Sequence, residues 1–145
     1  MLNLETVAVD PKLALQGVWC DYMGGQFLLA RHGHAYNNRL GQLYNENREL
    51  LNKRGTDDLL TVEAAAKMRE IHTQAFCETV LLDWKSVGEK NKPLKYSVQT
   101  AMKILLDPRY QELTDHLEQF SRNHYWYRDI GNQEVANGVK TTAVS

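Results

Sequence analysis

The chain has 145 residues, 43% of them apolar and 24% charged, with a formal net charge of -1. Such a length supports one core burying roughly two-thirds of the unfolded surface, and such a composition excludes disorder. Bases are interleaved with acids, as in Arg48-Glu49 and Lys67-Met-Arg-Glu70, and no apolar run approaches the roughly 20 residues that span a bilayer, so neither nucleic acid nor membrane is expected as a partner.

Residues 1–16, containing Asp10-Pro11, read as an N-terminal arm. Residues 17–22 and 26–31 then read as the two strands of a β-hairpin around a Gly24-Gly25 turn, because aromatic and β-branched residues flank glycines that supply positive φ. Val18, Cys20 and Tyr22 fall on one face, Trp19 and Asp21 on the other. Over 35–53 the apolar residues Tyr36, Leu40, Leu43, Tyr44, Leu50 and Leu51 have helical spacing, with Gly55 as the expected left-handed stop.

A stronger helix is expected over 61–84, with Thr61 as N-cap and Glu63 at the positive end of the dipole. Its stripe of Met68, Ile71, Ala75 and Leu82 is widened by Phe76, Val80 and Trp84, so it reads as a central helix with neighbours on several sides. A polar loop over 86–93 follows. Ser97 caps a helix carrying Val98, Ala101, Met102, Leu105 and Leu106 on one face, and Asp107-Pro108 launches the last helix. Tyr110, Leu113, Leu117 and Phe120 form that helix's buried face, and residues 131–145 read as a polar, flexible tail. The expected fold is α+β and predominantly helical: an N-terminal β-hairpin followed by about four helices, forming a single globular domain over 17–130.

Candidate chemistry is sparse. His32 and His34 form an HxH pair, with Cys20 on the neighbouring strand an imaginable third ligand. Gly33 sits between them where strand alternation breaks, so they read as ordinary surface histidines. His72, His116 and His124 lie one per helix with no nucleophile at a turn, which gives no triad. Cys77 lacks a helix N-terminus to activate it. The two cysteines, Cys20 and Cys77, match no metal or redox spacing and read as reduced thiols of a cytosolic protein.

Glu112, Asp115 and Glu118, like Asp57-Asp58, suit helix starts and solvated faces better than paired acid–base work. Gly24-Gly25 lacks the rest of a phosphate-binding fingerprint. Neither catalytic residues nor a cofactor are expected. The ring cluster His124-Tyr-Trp-Tyr-Arg128 can serve either as a packing anchor or as a binding surface. The candidate protein-binding residues are therefore Phe76 and Val80 on the wide helix arc, with Tyr125, Trp126 and Tyr127 in the ring cluster.

Trp19, Arg31, the Val80-Leu-Leu-Asp-Trp84 segment, Pro93-Leu-Lys-Tyr-Ser97, Ala101 and Leu105-Leu106 together resemble the tail assembly chaperones of long-tailed bacteriophages. The closing Asn123-His-Tyr-Trp-Tyr-Arg128 and Glu134-Val-Ala-Asn137 extend the likeness, which runs from about residue 17 to 137. What the resemblance implies is a non-enzymatic protein of the host cell cytoplasm. It would bind the tape measure protein, keep that long helical chain soluble and help recruit tail tube protein, with no catalytic residues. Many members are made in two lengths by a programmed ribosomal slip. A homo-oligomer is compatible with this role, and the alternative is a structural tail or head-tail component retained in the virion.

Overall fold

The computed structural model describes residues 1–129 together with 131 and 133. The chain begins with a turn of 3-10 helix at Leu4–Val7 and a short helix α1 (Pro11–Gln16). Asp10 caps α1 by accepting from the Lys12 N–H, and Pro11 occupies the first turn, where a missing donor does no harm. Strands β1 (Val18–Tyr22) and β2 (Gly25–Leu29) follow, paired antiparallel from Val18 opposite Leu29 to Tyr22 opposite Gly25. The turn is thus Met23-Gly24, both at positive φ (47° and 92°), the geometry that matches strand twist in a two-residue hairpin.

Helices α2 (His34–Glu46) and α3 (Arg48–Leu51) come next, then α4 (Val62–Thr79). A third strand, β3 (Leu81–Lys85), pairs antiparallel with β2, giving a sheet of order β1-β2-β3. The segment after it folds as a two-stranded ribbon, β4 (Gly88–Glu89) with β5 (Lys92–Pro93). Helix α5 (Val98–Leu105), a 3-10 turn at Pro108–Tyr110 and helix α6 (Gln111–Arg122) complete the main body. A last 3-10 turn, His124–Tyr127, carries the ring cluster.

This architecture corrects the expected N-terminal hairpin followed by about four helices. A helix precedes the hairpin, the sheet has three strands, and the described residues hold six α-helices. The expected helix over 61–84 stops at Thr79, because Val80 lies in the core and the chain turns to pair with β2. Leu81 and Trp84 face the core from a strand, not from a helix. The 35–53 helix is broken at Asn47, whose side-chain amide donates to the Leu43 carbonyl, and the left-handed residue downstream is Asp58, not Gly55. The tail expected over 131–145 lies, apart from 131 and 133, outside the described residues.

The core joins both layers. Cys20, Phe27 and Leu29 of the hairpin meet Ile71, Ala75, Phe76 and Cys77 of α4, Leu81 and Trp84 of β3, Ala101 and Leu105 of α5, and Leu117 and Phe120 of α6. Three predicted caps are present. Thr61 accepts from Ala64 N–H, Ser97 from Thr100 N–H, and Asp107 from Arg109 N–H ahead of Pro108. The Trp84 indole stands edge-on to Phe27 and Tyr96 and donates its N–H to the Leu94 carbonyl at 2.8 Å. Tyr96 in turn donates to the carbonyls of Cys77 and Leu81. One aromatic cluster thereby fixes the end of α4, β3 and the approach to α5.

Candidate functional site

The residues expected to bind a partner divide by burial. Phe76 and Val80 are enclosed in the core, 3% and 0% exposed. Tyr127 is also fully enclosed and donates its hydroxyl to the carbonyls of Leu29 and Ala30, at 3.0 and 3.3 Å. Tyr125 and Trp126 remain half-exposed on the 3-10 turn. Trp126 stacks on Phe120 with ring centroids 4.9 Å apart and planes 10° from parallel, and Tyr125 stands edge-on to Trp126. The structure therefore does not gather the five into one surface. The ring cluster is chiefly a packing device, fastening the last turn to α6 and β2.

The histidines are also dispersed in role. The His32 ring lies 4.0 Å from the ring of Tyr36, and burial, reinforced by the nearby Arg122 charge, holds its pKa below the usual value. His34 starts α2 on the exposed side. His116 packs on Tyr22 at 4.5 Å, and burial lowers its pKa as well. Among the described residues, no group of three or more His, Cys, Asp or Glu side chains is placed to hold a metal ion. Burial pushes both thiols, Cys20 and Cys77, up to about 12, which keeps them protonated and unreactive.

What residue-by-residue reading did not find is a groove of about 780 Å³. One wall is a face of α4 formed by Ala65, Met68, Arg69, His72 and Thr73, the i, i+3, i+4, i+7, i+8 positions of a single stripe. The opposite wall is Gln111, Thr114, Glu118 and Arg122 of α6. Leu105, Leu106 and Pro108 close one end, beside Leu60, while Tyr36 lies at the other. Tyr36 Oη and His72 Nδ1 are 2.6 Å apart there, which joins α2 to α4 across that end.

The groove has a direction. Both walls run the same way along the chain, so their N-terminal ends meet the apolar group of Leu60, Leu105, Leu106 and Pro108. Their C-terminal ends meet Tyr36, His72, Glu118 and Arg122. Leu60 and Leu106 are 42% and 37% exposed, large apolar side chains left uncovered at the groove's mouth. At 1.5 Å per residue the two walls are roughly 12 and 17 Å long. Helices α4 and α6 thus line a trough of this length without closing it. The signal in the sequence was the mixed composition of that α4 stripe, in which Met68 of the expected apolar stripe stands beside Arg69, His72 and Thr73.

The sequence model of the family described as YdaY prophage protein matches residues 32–137. That span is well over half of the chain, and the protein belongs to this family and is of phage origin. Every residue lining the groove lies within it, whereas β1 and β2 precede it. No curated protein and no solved structure matches the chain. No helix among the described residues is long and apolar enough to cross a membrane.

Proposed function

We propose that this prophage protein is a non-enzymatic assembly chaperone of the phage tail, acting in the host cytoplasm on the tape measure protein. The observation that carries the reading is the open groove of about 780 Å³ between α4 and α6, with uncovered leucines at its mouth. A client made of long helices needs such a surface while it waits for its final partners, and helix-in-groove docking is the mode that suits it. Membership of a prophage protein family supports the same direction. The resemblance of the 17–137 segment order to tail assembly chaperones supplies the specific client. Recruitment of tail tube protein belongs to the same proposal.

The test is co-expression of the full chain with the tape measure protein of the same prophage. The chaperone reading expects a soluble complex where the tape measure alone precipitates. It also expects the protein to be absent from purified particles by mass spectrometry, or far below one copy per tail ring. Stoichiometric retention in particles would instead make it a structural tail or head-tail component, and no effect on tape measure solubility would refute the chaperone role.

A further inference from the structure

The groove is not electrically neutral, and its charges are placed unevenly. Its lining contains two guanidiniums, Arg69 and Arg122, against one carboxylate, Glu118. Among the described residues neither arginine forms an ion pair; those present join Arg39 to Glu78, Lys67 to Glu70 and Arg109 to Asp107. Arg122 lies in the last turn of α6 and serves that helix's own negative end. Arg69 has no such explanation. It sits in the middle of α4, and the residues three and four positions away, Ala65, Ala66, His72 and Thr73, include no acid. It is exposed and lines the groove together with Met68 and the Tyr36–His72 pair.

We infer that the groove selects an amphipathic helix carrying apolar anchors at one end and carboxylates about two turns away. The anchors fill the Leu60–Leu106–Pro108 end, and the carboxylates meet Arg69 and Arg122. The separation follows from the two walls: Arg69 lies four residues beyond Ala65, roughly 6 Å along α4, and Arg122 eleven residues beyond Gln111, roughly 16 Å along α6, so the pair brackets a point about two turns from the apolar end. Charge complementarity at a partly desolvated rim gives orientation and choice of partner more than raw affinity. A helix presented backwards would set leucines against guanidiniums and acids against leucines. The occupant is thereby fixed in direction as well as in chemistry. That this occupant is a segment of the tape measure rests on the function proposed above, while the charge pattern of the groove does not.

The experiment uses the full chain and two synthetic helical peptides of equal length. Both carry leucines at i, i+3, i+4 and i+7; one has two glutamates two turns beyond them, the other two lysines. The acidic peptide should bind about tenfold more tightly than the basic one. Arg69→Glu, an exposed change that leaves the fold intact by circular dichroism, should reverse that order. Leu106→Asp should abolish binding of both. Equal affinities, binding of neither peptide, or an Arg69→Glu variant with unchanged preference would overturn the inference. So would a concentration-dependent dimer that Leu106→Asp converts to monomer, since the groove would then hold a second copy of the chain. If the acidic peptide binds as described but tape measure fragments do not, the groove assignment stands and the chaperone reading falls. If tape measure fragments bind and Arg69→Glu leaves them unaffected, the groove assignment falls and the chaperone reading stands.

Discussion

Replacing Trp84 by alanine tests whether the sheet–helix junction is held as described. The indole is only 6% exposed, so truncation removes nearly the whole ring from the core. Loss of the buried ring and the cavity left behind cost about 3–5 kcal/mol. The edge-on contacts to Phe27 at 6.4 Å and Tyr96 at 5.2 Å disappear with it, and the Leu94 carbonyl loses its donor. Leu94 is half-exposed, so water replaces that bond and adds little to the loss. Against a total stability of about 5–15 kcal/mol, the change is large. Urea denaturation followed by circular dichroism should show a lower midpoint with an unchanged slope, and the melting temperature should fall by roughly 10–15 °C. Trp84→Phe, which keeps a ring but not the N–H, should lose less than half as much. If Trp84→Ala keeps its stability within about 1 kcal/mol yet no longer binds a tape measure fragment, the ring is a contact residue and the packing argument is wrong.

Tyr127→Phe should cost about 1–2 kcal/mol by removing the donor to Leu29 and Ala30, while leaving client binding intact; isothermal urea melts and a pull-down measure the two separately. Cys20 and Cys77 should resist a thiol reagent at pH 8 in the native protein and react together once urea unfolds it. Under reducing conditions, stability should be unaffected by these thiols below pH 9.0 and fall progressively toward pH 12. Their folded pKa of about 12 lies above the ordinary 9.0, so in that window the unfolded chain ionises first. Burial raises Tyr96 to about 12 and pushes Tyr127 up too, which adds to the same alkaline loss. A chelator should leave the melting temperature unchanged, and a fall reversed by zinc would reopen His32 and His34 as ligands.

Local signals in the sequence succeeded where the deciding interaction is local. Thr61, Ser97 and Asp107-Pro108 mark helix starts because a short side chain satisfies donors two or three residues away. The facing of Val18, Cys20 and Tyr22 follows from strand alternation alone, and the burial along β1 agrees with it. Asp10-Pro11 carries the same cap-and-proline signal as Asp107-Pro108, but the helix it starts is only six residues long and buries none of them, so it reads as an arm. The Val80-Leu-Leu-Asp-Trp84 segment failed for a different reason. Its buried residues, Val80, Leu81 and Trp84, fall at i, i+1 and i+4, a spacing that a helix also produces. What makes it a strand is pairing with β2 some fifty residues earlier, which no local window contains. The groove was illegible on the same grounds, since neither wall is a pocket until both are in place.

The bond from Tyr127 to Leu29 spans 98 residues, and beside it the chain's early part is clasped to its late part. Asp10 N–H donates to the Tyr127 carbonyl at 2.8 Å, and Val9 forms a bridge with Arg128. This orders events in time during synthesis. At about 5–20 residues per second, the ribosome needs roughly 5–20 s after making Leu29 to deliver the ring that seals it. Over that interval the carbonyls of Leu29 and Ala30, at the end of the hairpin, wait for the Tyr127 hydroxyl. The helices arrive in sequence and can pack as they come, whereas the final seal is set by translation speed and not by the chain's own search. The protein proposed to shelter another chain's unfinished surface thus spends its own first seconds with one.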